Sequence, residues 1–468
     1  MKKASKSQEH LKTLVIILLF VAVMTMTGLH FKALKNRNEN SYNNQSDGFN
    51  LNPAFSANFE TLAGKGAFLP AQIAYKTENN NLYAICSGSD YTNEIYSLMS
   101  TGITAILGSD CTPVKETPDA FYNAIASSEF VYLKYHSPAA GTLIYLNSLT
   151  KDDTTKDISL GNLTPTLKIS ELVIFPDNTS AGSPLAFART DDGSVYKFVV
   201  KNTPQSKLFS IDDLELYKEA GAMSLAEFYA KNDAFLPSTL IFNDTTTKAR
   251  LSLSKGIANL SKDTDSQAYF AELFDINPNK TGSYFDNDIN GTVYPATHGT
   301  LRATDTFISY TAETTVGGIS LSFFSGKEKD TDHSMLECIS IAQAVASVLP
   351  TLQPVKLGEA ELLITDLRRS GDKLTVKFNY FCDNIPIADC GNALTIEMTK
   401  NKLTGFSFYP LTATADKGII RKSIPASWAI NIAKNSIIPS SENTLIFKYV
   451  KSDNDYYFAE WVPHKIIR

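Results

Sequence analysis

The stretch AELLITDLRRSGDKLTVKFNYF, Ala360 to Phe381, reads as strand, tight turn and strand. Its two runs are rich in Leu, Ile, Val, Thr, Phe and Tyr, and a Gly-bearing polar break separates them, which is the pattern of a β-hairpin. Just before it lies HSMLECISIAQAVASVLP (His333–Pro350), a helix by its length and apolar content. The same order returns further on: SIPASWAINIAKN (Ser423–Asn435) reads as a helix, and TLIFKYVKSDNDYYFAEWVPH (Thr444–His464) as a second hairpin. The turns RRSGDK and VKSDND correspond. In the second helix Ser423 is the expected N-cap with Pro425 just inside. Trp428, Ala429, Ile432 and Ala433 have the spacing of a buried stripe. A helix laid over a hairpin, twice, predicts an α+β layer with an antiparallel sheet.

Toward the N-terminus the signals stay mixed. PAQIAYKTENNNLYAIC (Pro70–Cys86) is strand–turn–strand, and SDYTNEIYSLMSTGITAIL (Ser89–Leu107) is helical with Ile95, Leu98, Ile103 and Leu107 as core positions. TPDAFYNAIASS is a clearer helix, with Thr117 as N-cap, Pro118 at the first position, and Phe121 and Ile125 on one face. EFVYLKYH, GTLIYL, ELVIFP, SPLAFART and SVYKFVVKN read as strands, with a turn at Asp191-Asp192-Gly193. SIDDLELYKEA and SLAEFYAKN are short helical pieces, and from STLIFN to GGISLSFFSG the chain is mostly strand. The expected domains are an N-terminal α+β domain over 63–202, a middle, mostly β domain over 203–329, and a C-terminal α+β domain over 330–468.

Before all of this stands TLVIILLFVAVMTMTGLHF, Thr13 to Phe31. It holds no charge apart from the ionisable His30, and a helix needs roughly 20 apolar residues to cross a bilayer. Its apolar run is longer than a signal peptide's, and no small-residue cleavage site follows it. The reading is a single uncleaved span at 13–31, a cytoplasmic N-terminus at 1–12, a flexible polar linker at 32–62, and the bulk of the chain outside the cell membrane. Within the span Ala22, Thr25 and Gly28 share one side, where small residues let a partner helix approach closely.

Composition narrows the function. The 468-residue chain has a net charge of −6, yet residues 1–37 alone carry +6, so the remainder is strongly acidic. That balance argues against nucleic acid as a partner. The cysteines Cys86, Cys111, Cys338, Cys382 and Cys390 are too few and too scattered for a disulfide framework. A two-residue turn at Asp383-Asn384 would set Cys382 opposite Ile385 and leave Cys390 about 16 Å along the partner strand, so free, mostly buried thiols are expected. No G-x-S-x-G, H-E-x-x-H or phosphate-cradling glycine loop occurs, and His136, His298, His333 and His464 lie at no metal-ligand spacing. No catalytic residue, cofactor or metal is assigned. The one metal-like motif is DNDING: Asp286, Asp288 and Asn290 could offer oxygens and Gly291 a sharp turn. Its twelfth position is Thr297, where a calcium loop needs a bidentate Glu, so a β-turn is the better reading.

The order of parts resembles the YycH/YycI proteins of Gram-positive bacteria, which are membrane-anchored regulators of the WalK sensor histidine kinase. The similar stretches are ISELVIFPDNTSAGSPLAFARTDDGSVYKFVVKNT, GTVYPATHGTLRATDTFISYTAE and GEAELLITDLRRSGDKLTVKFNYFCDNIPIADCGNALTIEMTKNKLTGFSF. The last is similar to a family pattern: a hairpin ending in F-x-Y, a short turn, then a P-I strand. Coverage of nearly the whole chain is closer to YycH than to the shorter YycI. The resemblance implies a non-enzymatic regulator of a two-component system controlling cell-wall metabolism. It also implies a WalK-like kinase, and a YycI-like protein, as membrane partners. Two other readings stand beside it. One is an extracytoplasmic ligand-binding module, since the helix-on-hairpin units also look like PepSY domains. The other is an envelope enzyme, which would need clustered carboxylates or a nucleophile–base pair in a cleft.

Overall fold

The fold is described from a computed structural model. It describes residues 69–465 apart from 149–166, 177–184, 201–208, 225–234, 326–331, 437–442 and a few shorter gaps. The apolar segment 13–31, with Ala22, Thr25 and Gly28, and the linker 32–62 lie outside the described residues. Among the described residues no helix is long and apolar enough to cross a membrane.

The N-terminal part runs β1 (Gln72–Lys76), β2 (Leu82–Cys86), α1 (Thr92–Leu98), α2 (Ser100–Leu107), β3 (Cys111–Glu116), α3 (Pro118–Ser127), β4 (Phe130–Ala140), α4 (Gly141–Asn147), β5 (Lys168–Ile174), β6 (Ala186–Thr190) and β7 (Val195–Val200). Its strands form one antiparallel sheet in the order β2-β1-β4-β5-β6-β7-β3. Two expectations change here. GTLIYL is the helix α4, not a strand, with Leu143, Ile144 and Tyr145 all buried. A short apolar run sealed on every side carries no period to distinguish the two. The long helix at Ser89–Leu107 breaks around Met99, so Ile95, Ile103 and Leu107 are buried while Leu98 faces out.

The chain continues with the single turn α5 (Ile211–Leu214), β8 (Ala222–Ser224), β9 (Leu240–Phe242), β10 (Thr247–Lys255), α6 (Thr264–Leu273), β11 (Tyr284–Asp286), β12 (Gly291–Ala296), β13 (Gly299–Thr304), β14 (Ile308–Ala312), β15 (Ile319–Ser320) and α7 (Leu321–Ser325). The last part holds α8 (Met335–Val348), β16 (Glu361–Ser370), β17 (Lys373–Cys382), β18 (Ile385–Pro386), β19 (Leu394–Thr399), β20 (Lys402–Phe408), β21 (Leu411–Lys422), α9 (Ala426–Ser436), β22 (Asn443–Lys451) and β23 (Tyr456–Lys465).

The hairpin that opened the reading is β16–β17, turning at Gly371-Asp372 with Gly371 at positive φ. Along β17 Leu374, Val376, Phe378 and Tyr380 are buried on one face, and α8 packs against β16 and β19. A full capping box starts α8: the Ser334 hydroxyl accepts from Glu337 N–H while the Glu337 carboxylate accepts from Ser334 N–H. The second helix–hairpin unit also forms, but it joins a different sheet. β22–β23 lies in the order β21-β10-β23-β22, whereas β16–β17 ends a sheet ordered β11-β12-β13-β14-β20-β19-β17-β16. Strands on both sides of the expected 329/330 boundary therefore share sheets: β10 pairs with β21 and β23, and β14 with β20. The sequence pattern marks strands and turns, and says nothing of which distant strand completes an edge.

α9 corrects the expected stripe. Ala426, Ala429, Ile430 and Ala433 form its buried face, while Trp428 is 64% and Ile432 58% exposed. Ser423 does not cap it. Its hydroxyl accepts from Thr246 N–H and its own N–H donates to the Thr246 carbonyl, while Pro425 supplies the first helical carbonyl, to Ala429 N–H. The buried tryptophan is Trp461 of β23, stacked on Phe242 and tilted against Phe447.

The turn Asp383-Asn384 forms as the spacing predicts, both residues at positive φ, and sets Cys382 opposite Ile385. Just beyond, Ile387 bridges Tyr449 of β22, so this short motif ties the two C-terminal sheets together. No disulfide joins the five cysteines, and Cys111, Cys338 and Cys382 are buried.

Candidate functional site

One face of the N-terminal sheet carries a row of polar residues where apolar ones are the rule. Gln72 of β1 stands opposite Lys134 of β4, Lys134 opposite Glu171 of β5, and Glu171 opposite Arg189 of β6. Directly opposed residues of an antiparallel ladder share a face, and all four are buried. A buried charge is tolerated only when paired or hydrogen-bonded, and Glu171 and Lys134 find partners within the sheet and in other parts of the chain, whereas the Gln72 amide has none among the described residues. The Glu171 carboxylate accepts from Tyr132 Oη at 3.0 Å, from Ser238 Oγ at 2.9 and 3.1 Å, and from Arg189 Nη1 at 3.4 Å. The Lys134 ammonium donates to Thr444 Oγ1 and, at 3.2 Å, to the Leu445 carbonyl of β22. Leu445 lies opposite Pro463, whose nitrogen has no hydrogen to give.

Next to the row the ladders open. Between Lys134 and Ala139, β4 leaves its register with β5; β5 shifts against β6 between Ile169 and Glu171; β16 shifts against β17 between Ile364 and Asp366. Such bulges bend strands and re-aim side chains. The displaced residues, Tyr135 to Pro138, Ser170 and Thr365, all line one cavity of about 380 Å³, and Ser137 Oγ donates to the Thr365 carbonyl across it. Lys134 and Glu171 also line it, as do Lys168, Asp191, Asp366, Arg368 and Lys377. A volume of this size holds a small ligand.

Electrostatics inside the cavity are uneven. Asp366 is taken by Lys168 at 3.3 Å and Arg368 at 2.6 Å, and Glu171 by Arg189. Among the described residues neither Lys134 nor Lys377 has a carboxylate within ion-pair distance. Burial pushes the Lys134 ammonium from 10.5 down to about 8, with the Glu171 charge opposing that fall and Arg189 adding to it. Burial likewise drives the His136 imidazole from 6.5 to about 3, so the ring is neutral. A hydrogen bond to the Asn384 backbone opposes that fall, and Ser170 Oγ is buried with no hydrogen-bond partner among the described residues.

The other sequence candidates fall elsewhere. In DNDING the turn occupies 287–290 with Asn290 at positive φ, and Gly291 opens β12, where an added Cβ would collide with Ala303. Asp286 Oδ1 accepts from Asp288 N–H, closing the turn on itself. No group of three or more metal-type ligands gathers among the described residues. His298 sits against Tyr310, and His333 Nε2 lies 3.0 Å from Ser325 Oγ. His136 and His464 both line the cavity. Sequence reasoning passed over Lys134 and Glu171, although each is a single charge inside an apolar strand, YLKYH and SELVI.

No family model matches the chain, and no curated protein does. Among solved structures, the crystal structure of YycH from Bacillus subtilis aligns over 86% of this chain and 96% of its own, at 11% identity and a TM-score of 0.42.

Proposed function

We propose that this chain is a membrane-anchored regulator, without catalytic activity of its own, that biases a sensor histidine kinase of a two-component system controlling cell-wall metabolism. The reading rests on the sequence resemblance, and one observation supports it best. The stretch FNYFCDNIPIADCG folds as the hairpin, tight turn and P-I strand that the resemblance implies, and it joins the two C-terminal sheets. In this reading Thr13–Phe31 anchors the chain and offers Ala22, Thr25 and Gly28 to kinase helices, with a YycI-like protein as a further partner. The bulk of the chain lies outside the cell. The physics is linkage: a partner that binds two kinase states unequally shifts their balance by the difference in affinity.

The test is co-purification of tagged full-length protein from detergent-solubilised native membranes, beside a version with an unrelated span in place of Thr13–Phe31. A sensor kinase captured by the native span and lost with the swap is the expected result. A kinase absent from both samples refutes the proposal. The cavity favours a second reading, an extracytoplasmic sensing module, which does not exclude the first.

A further inference from the structure

We propose that the cavity between β4, β5 and β16 is a binding site for a small molecule bearing an oxyanion, a carboxylate or a phosphate, with Lys134 as its principal counter-charge. The inference rests on the sensing reading and is independent of the kinase contact.

Three observations converge. Three separate register shifts, on β4, β5 and β16, open toward the same space. Strand irregularities interrupt hydrogen-bond ladders and persist in a fold where they shape something. Second, the charge count inside is unbalanced. The Glu171 and Asp366 carboxylates are engaged by Arg189, Lys168 and Arg368, while Lys134 and Lys377 are left with no carboxylate partner among the described residues. Lys377 stands opposite Asp366 on the ladder, but that carboxylate is already shared. A buried ammonium with only neutral oxygens around it is a costly arrangement, and an incoming anion relieves it. Third, Ser170 is 6% exposed, lines the cavity, and its hydroxyl has no partner among the described residues. Native folds rarely leave a buried hydroxyl unsatisfied. An ammonium and an unpartnered hydroxyl beside one void are donors that an oxyanion needs, and the second lysine stands at its wall. Three carboxylates line the void: Glu171 and Asp366 are paired with cations, and Asp191 stands against the two lysines, so the balance favours an anion over a cation.

The test uses the full-length chain in detergent and thermal unfolding followed by intrinsic fluorescence. The probes are succinate, L-glutamate and inorganic phosphate, with succinamide and sodium chloride at matched ionic strength as controls. A ligand that binds only the folded state raises Tm in proportion to ln(1 + [L]/Kd). At least one of the three anions should raise Tm in a saturable way while both controls do not. A response to succinate or glutamate assigns a carboxylate, and a response to phosphate alone assigns a phosphate group. Lys134→Met should weaken the apparent affinity at least about tenfold, the loss expected for a hydrogen bond to a charged group. Ser170→Ala and Lys377→Gln should weaken it several-fold. They remove groups with no protein hydrogen bond or ion pair among the described residues, so they decide the matter even where Lys134→Met does not fold. No saturable shift with any anion, a shift matched by sodium chloride, or equal affinity in Ser170→Ala and Lys377→Gln overturns the proposal.

Discussion

Replacing Glu171 by Gln tests the polar row most directly. The substitution keeps shape and volume and removes one charge. In the native protein the carboxylate is fully buried and accepts from Tyr132, Ser238 and Arg189. An amide oxygen still accepts from one hydroxyl, but the NH2 group faces donors, and the Arg189 guanidinium is left buried without its anion. Breaking a buried pair by removing one partner costs about 3–5 kcal/mol. The assay is urea unfolding by far-UV circular dichroism, read as a fall in midpoint at unchanged slope. The double variant Glu171→Gln/Arg189→Met should recover more than about 1 kcal/mol of the loss, because the orphaned guanidinium is gone. A loss below about 1 kcal/mol in the single variant, or strictly additive effects in the double, refutes the claim that this row is an internally compensated charge network.

Stability should rise with pH in two windows. The folded pKa of His136 lies below its unfolded value, so the unfolded chain binds more protons between about pH 3 and 6.5. Stability worth ~5 kcal/mol is then lost as pH falls through that range, and His136→Gln should flatten it. Lys134 has the same sign at higher pH: between about 8 and 10.5 the unfolded chain holds the extra proton, so stability gains ~3 kcal/mol across that window, a rise absent in Lys134→Met. Gly358→Ala should cost about 3 kcal/mol by urea unfolding, because φ is +65° and an added Cβ meets the Ala413 carbonyl. Gly371→Ala, at φ +59° with open space around it, should cost about 1 kcal/mol. With only two tryptophans in the chain, Trp461→Phe should leave red-shifted emission readily quenched by acrylamide, and Trp428→Phe should leave blue-shifted, protected emission.

What the sequence shows of this fold is local. The hairpin around Gly371, the Asp383-Asn384 turn and the helix at Pro118–Ser127 all follow from residues adjacent in the chain. Errors arise where a neighbour distant in sequence decides. Trp428 has a helical stripe's spacing, yet the alanines beside it take the buried face because small side chains let the helix sit close on the sheet. Ser423 looks like a cap, but Thr246 claims it. The cavity was hidden for the same reason. Lys134 and Glu171 read as strand residues, and their partners Thr444 and Ser238 lie 310 and 67 positions away.

The β10 strand has a consequence for the making of the protein. Both of its neighbours, β21 and β23, come later in the chain, and the Arg250–Asp416 ion pair that joins it to β21 spans 166 positions. At roughly 5–20 residues per second, β10 waits on the order of 10–30 s after leaving the ribosome before its first partner is even synthesised. During that interval both of its edges are open to any passing strand. The nascent chain is thus a natural client for a holding chaperone, and a premature stop before β21 leaves β10 with both edges unpaired.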